Sequence, residues 1–219
     1  MLTSSKKKKL LSALRSYHKK YLSDKFADLD ESGTRLMINM FLTDILGYAS
    51  IEEIKTEYMI RGTYADYVIQ VKGERSFLVE VKAFSLNLSD KHLRQATNYG
   101  ANEGIEWTLL TNGRNFDFYK IIFNKPIEIK KVFSIDLNDH LKLKEYAEVL
   151  QYLHRDFAPR KGLHNLWNRY LALEPSGICK FLYAKPVINF LKRGLKRKFK
   201  TKFESEEIVA ALKKMLEKD

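Results

Sequence analysis

The sequence predicts an α/β fold, a sheet core flanked by helices with a helical appendage at the C-terminal end. Three observations lead there. Short apolar runs separated by turn residues fill the stretch between Gly47 and Phe133. A helical pattern over 89–103 interrupts them. Apolar residues at helical spacing occupy the chain before Gly47 and beyond Asp139. With 219 residues, 45% of them hydrophobic, the chain can bury one domain of moderate size, or a core plus an appendage.

Each element has a local reason. Leu10, Leu11, Leu14 and Tyr17 form an amphipathic stripe, assigned to a basic N-terminal helix within 1–27. A second stripe, Leu36, Met37, Met40, Phe41 and Ile45, stops at Gly47, the common residue past a helix C-terminus. Four to five strands are expected from there to about Phe123. Residues 65–71 and 76–82 flank a turn centred on Gly73, and residues 107–111 pass through Asn112-Gly113, a hairpin-turn dipeptide, into 116–122. One more strand-like run, 127–133, follows Pro126, which places the core within 28–138. From Asp139 the pattern is helical, over 163–173, 186–199 and 205–217 among others, with Ser205 as an N-cap. No repeat or low-complexity linker sets this 139–219 appendage apart.

The most informative stretch is the turn at Gly73. Asp66 and Glu80 each lie seven residues from it, so a hairpin with a three- or five-residue loop centred there sets them directly opposite. Glu80 and Lys82, two apart, share the same face. Like charges opposed on a sheet are destabilising, and a divalent cation is the simplest group to complete the set. Such a site suits metal-assisted phosphodiester chemistry. Glu-x-Lys alone carries little weight in a chain with 30% charged residues: it recurs at 53–55 and 128–130, and commonly marks a solvated strand face.

The order of parts resembles the PD-(D/E)xK nuclease superfamily, most closely the N-terminal nuclease domain of type I restriction enzyme restriction subunits. The resemblance spans roughly residues 28–133. It rests on Glu31, Leu46-Gly47-Tyr48, Ala65-Asp66-Tyr67, Glu80-Val81-Lys82-Ala83, Gln95 to Tyr99, and Thr111-Asn112-Gly113, in that order. Ala65 stands where the superfamily's name has Pro. The resemblance implies a restriction-endonuclease-like mixed β-sheet core and a metal-dependent deoxyribonuclease. Asp66, Glu80 and the Val81 carbonyl would hold Mg²⁺ or Mn²⁺, and Glu31 would reach the metal directly or through water. Lys82 would steer the attacking water or meet developing phosphorane charge, so its loss would cost turnover and spare stability. Gln95 would order the site or hold a phosphate, and Tyr99 would contact nucleic acid or the strand backbone. An ordinary Glu31–Arg35 pair one helical turn apart, and plain helix packing for Gln95 and Tyr99, are the competing readings. No phosphate-loop motif of a motor domain occurs, so a separate motor or specificity protein is the expected partner, alongside DNA and a homo-oligomeric option.

Charge points to polyanions. The net charge is +12, concentrated in seven basic residues within 1–20 and eight within 184–202, neither segment holding an acid. Lys6 to Lys9 also read as a solvated tail. In the second run Arg193, Lys196, Arg197, Lys200 and Lys202 interleave with Leu191, Leu195 and Phe199, so a helix can pack one stripe and show a basic face to nucleic acid. A non-catalytic nucleic-acid-binding or complex-forming module, and an assembly partner for acidic protein, remain alternatives. The single Cys179 excludes an internal disulfide and reads as a buried thiol in a reducing cytoplasm. No signal-like or membrane-spanning apolar run is present, so no membrane partner is expected. The five histidines lack i,i+4 pairs, which argues against a zinc hydrolase.

Overall fold

The structure, a computed structural model, describes residues 1–60 and 63–216, apart from the side chains of Asp24, Ser50, Ile60, Thr63, Asp90, Gln95, Ala96 and Arg160. Helix α1 (Ser4–Tyr21) starts at Thr3, whose hydroxyl accepts the Lys6 N–H, and buries Leu10, Leu14, Tyr17 and Tyr21. Helix α2 (Glu31–Met40) starts at Asp30, whose carboxylate accepts the Gly33 N–H at 2.7 Å. It widens into a π turn over Phe41–Ile45 and ends at Gly47, where φ is +78°. Its buried stripe is Met37, Ile38, Phe41, Leu42 and Ile45. Leu36 and Met40, placed in that stripe by sequence spacing, instead lie four apart on the outer flank, and Leu36 is 70% exposed.

A short α3 (Ser50–Glu53) leads into six strands: β1 (Ile54–Ile60), β2 (Thr63–Val71), β3 (Glu74–Val81), β4 (Trp107–Thr111), β5 (Asn115–Ile122) and β6 (Glu128–Asp136). Their spatial order is their chain order, and only the β3–β4 pair is parallel, so the sheet is mixed. A parallel pair needs a crossover, and α4 (Asp90–Glu103), opened by a Ser89–His92 capping box, supplies it. Strand alternation divides the apolar side chains between two faces. Tyr67, Ile69, Phe77 and Val79 join α1 and α2 in the main core, while Val68 and Leu78 meet Tyr99 of α4 on the other side.

The β2–β3 hairpin corrects the expected loop. It closes on two residues, Lys72 (φ +53°) and Gly73 (φ +82°), the pattern of a type I′ turn. Pairing runs Val71↔Glu74 and Gln70↔Arg75, then a bulge leaves Ser76 unpaired before Ile69↔Phe77, Val68↔Leu78 and Tyr67↔Val79. The odd offset that sets the two acids opposite therefore comes from the bulge and not from the loop. One step beyond Tyr67↔Val79 the register brings Asp66 across from Glu80.

The β4–β5 turn is more constrained. The Asn112 side-chain oxygen accepts the N–H groups of Arg114 and Asn115, and the Tyr17 hydroxyl donates to the Gly113 carbonyl at 2.8 Å. Gly113 has φ +85°, and a Cβ there would lie 2.5 Å from Met37 Cε, whereas one on Gly73 would meet nothing within 4 Å. Gly113→Ala is accordingly expected to cost about 2–3 kcal/mol in thermal melts, against about 1 for Gly73→Ala, where only backbone strain applies.

Helix α5 (Leu143–Leu150) and the start of α6 (Leu163–Leu173) add Leu143, Leu150, Leu163 and Leu166 to the same core as α1 and the sheet. The first compact unit is therefore Met1–Trp167. It crosses both boundaries expected from sequence, after 27 and after 138, because the flanking helices bury their stripes in one shared core. The second unit, Asn168–Asp219, contains α7 (Pro175–Leu182), α8 (Lys185–Phe199) and α9 (Ser205–Leu216), with Ile188 and Ile208 buried. Helix α7 was not apparent from its spacing, although Pro175 at its first position is a start signal. Cys179 within it is half-buried, not buried as expected. Among the described residues no helix is long and apolar enough to cross a membrane.

Candidate active site

Asp66 lies on β2, Glu80 and Val81 end β3, and Lys82 follows, its N–H donating to the Thr111 carbonyl at 2.8 Å. Alternation puts Glu80 on the same face as Leu78, and Asp66 on that of Val68. The Val81 N–H donates to Asp66 Oδ2 at 2.7 Å, tying the two strands together where pairing ends. Lys82 Nζ donates to Glu80 Oε1 at 2.6 Å and lies 3.7 Å from Glu31 Oε2, at the first residue of α2. Arg35, one turn further along, reaches Asp66 Oδ1 at 3.4 Å and Glu57 at 3.5 Å.

The fold thus brings Glu31, Asp66, Glu80, Val81 and Lys82 together. Glu31 faces Lys82 and not Arg35, so the simple intrahelical pair is not formed. Arg35 was overlooked as a site residue. Its i,i+4 spacing from Glu31 was the available signal.

Burial dominates the electrostatics. Glu80 is 2% exposed, and burial pushes its pKa up to about 7 despite the hydrogen bond from Lys82. Burial also raises Asp66, against the opposing pull of the Val81 N–H. For Lys82, burial works to lower the pKa, but the hydrogen bond to Glu80 and the charges of Glu80, Glu31 and Asp66 outweigh it, so the ammonium is held. Glu80 Oε2 is buried with no hydrogen-bond partner among the described residues. A buried carboxylate oxygen left unpaired is costly.

That orphaned oxygen suits a hard cation that takes oxygen ligands. The residues that could hold it are Asp66, Glu80 and the Val81 carbonyl, with Glu31 at the mouth. Among the described residues, no group of three or more His, Cys, Asp or Glu side chains could hold a metal ion. Backbone, solvent and substrate oxygens would have to complete the shell, as Mg²⁺ commonly allows.

The other expected residues fall elsewhere. Gln95 lies on α4, but its side chain is outside the described residues. Tyr99 is 3% exposed and packs against Val68 and Leu78, so its ring supports the sheet beside the acids and presents no face to nucleic acid. Arg193, Lys196, Arg197, Lys200 and Lys202 lie on and just beyond α8, in the second unit. The two remaining Glu-x-Lys copies have ordinary roles. Glu53 accepts from Arg155 Nε at 2.9 Å, and Glu128 and Lys130 are exposed on edge strand β6.

By its geometry this is an α/β protein with a buried acid pair and a lysine where adjoining strands of a mixed sheet separate, faced by a third acid at a helix start. Residues 30–135 match the family described as type I restriction enzyme R protein N terminus (HSDR_N). The match runs from the N-cap of α2 into β6 and contains every member of the acid–lysine group. Comparison with curated proteins and with solved structures finds no match.

Proposed function

We propose that the chain is a metal-dependent deoxyribonuclease, acting as an endonuclease on a restriction-endonuclease-like core of the PD-(D/E)xK type. The observation that carries this reading is Glu80 Oε2, unpartnered among the described residues, set across from Asp66 and beside Lys82. A divalent cation bound there would supply Lewis acidity to the scissile phosphate and lower the pKa of a nearby water. Asp66 and Glu80 would hold the charge that such a cation needs, and the Val81 N–H keeps Asp66 oriented. Lys82, fixed by Glu80 and facing Glu31, would meet charge that develops on the phosphoryl oxygens. Similarity to the restriction-subunit family supports DNA as the polymer and motor or specificity proteins as partners.

A second reading is binding without turnover on the same fold, and one contact favours it: Arg35 already partly neutralises Asp66. Incubation of plasmid and single-stranded DNA with Mg²⁺, Mn²⁺ or EDTA separates the two. Nicking or linearisation with either metal and none in EDTA is the expected result, and intact DNA under every condition would leave the binding module.

A further inference from the structure

Helix α8 concentrates charge that the described residues do not balance. Seven Lys or Arg residues fall within 192–202, with no acid among them. Of these, only Lys192 forms an ion pair among the described residues, with Glu204 at 3.2 Å. Cations in the first unit are commonly matched, as in Lys6–Asp156, Lys7–Glu148, Lys131–Asp117 and Arg155–Glu53. Arg193, Lys196, Arg197 and Lys200 follow i, i+3, i+4, i+7 spacing, share one helix face and line an open cleft of about 410 Å³.

Two details go beyond charge. Lys200 ends the helix at φ +58°, a left-handed position where glycine is favoured, and yet it carries a fourth cation to the cleft. Phe190, three residues before Arg193 and seven before Arg197, falls on the same face and is 69% exposed. An exposed ring amid cations that no described acid pairs wastes apolar area in water.

We propose that this face binds single-stranded nucleic acid, with the four cations on backbone phosphates and Phe190 stacked on an unpaired base. Four cations within about 10 Å of helix axis give a dense positive strip. A duplex would offer phosphates to that strip but keeps its base faces within the stack. A single strand offers both the phosphates and a free base face for the ring. The surface belongs to the second unit and the Asp66–Glu80–Lys82 group to the first, and the inference stands whether or not that group turns over.

The test is fluorescence anisotropy of the full chain in EDTA, with labelled oligo(dT) and a duplex, across a salt series. Replacing Arg193, Lys196 and Arg197 together by Gln is expected to flatten the slope of log affinity against log salt for the single strand by about 2 units. Phe190→Ala is expected to weaken single-strand binding about tenfold, with the salt slope and duplex affinity unchanged. Melting temperatures should hold, since the replaced cations form no ion pair among the described residues. If the triple variant melts early, Arg193→Gln alone gives the same readout at about a third of the slope change. A wild-type slope in these variants, equal effects of Phe190→Ala on both strand forms or on neither, or tighter binding to phosphatidylserine vesicles than to oligo(dT) would overturn the inference. Because EDTA removes turnover from the measurement, either result leaves the nuclease reading to its own assay.

Discussion

Lys82→Ala is expected to lower metal-dependent DNA cleavage by about a thousandfold, to background, with single-strand affinity in EDTA unchanged. The argument rests on placement. Lys82 is held by Glu80 at 2.6 Å and faces Glu31, so its ammonium stands in a fixed position at the acid group. An interaction made with charge that develops only in the transition state changes turnover and not ground-state binding. The geometry also revises the sequence-based expectation that stability is spared. Removing Lys82 leaves Glu80 buried with neither oxygen paired to it, which costs about 1–3 kcal/mol wherever the carboxylate is ionised. Lys82→Ala should therefore melt several degrees lower at about pH 8.5, above the Glu80 pKa of about 7, and close to wild type at about pH 5, where Glu80 is protonated. Plasmid cleavage rates together with melts at both pH values check this. Near wild-type cleavage by the variant would place the catalytic charge on another group.

Much of the core was legible because its signals are local. The Asn112-Gly113 turn, the Ser89–Glu103 helix and the helix end at Gly47 follow from turn chemistry and apolar period, and each appears within a residue or so of its expected place. The acid pair was legible because a hairpin relates Asp66 and Glu80 through a simple count from Gly73. The count succeeded for a different reason than expected: the two-residue turn alone would have offset the strands by one, and the Ser76 bulge restores the pairing. A bulge has no strong sequence mark, so loop length could not be read correctly. Arg35 was missed because its contact to Asp66 depends on where α2 docks against β2, a tertiary fact. The first compact unit runs on to Trp167, past 138, for a similar reason. Leu143, Leu150 and Leu163 show helical spacing, but spacing does not say which core a stripe enters.

Glu80 predicts a pH-dependent stability whose sign a metal should reverse. Burial raises its pKa from 4.5 to about 7, so the folded state favours the protonated acid. A group raised in this way contributes stability that is fully present below its unfolded value and is lost as pH rises through its folded value. Metal-free protein is therefore expected to weaken between about pH 4.5 and pH 7, by about 3 kcal/mol. Asp66, also raised by burial, acts in the same direction. Glu80→Gln keeps a neutral side chain of similar shape and should remove most of this dependence, leaving melts in EDTA nearly flat over that window. Magnesium favours the ionised carboxylates, so saturating Mg²⁺ should raise the melting temperature of the wild type more near pH 8 than near pH 5, and should do little for Glu80→Gln. Thermal melts of both proteins across pH, with and without Mg²⁺, decide the matter without any cleavage measurement. A wild-type curve in EDTA that parallels Glu80→Gln would mean the buried carboxylate is already balanced by Lys82, and equal Mg²⁺ shifts for the two proteins would place the cation on other oxygens.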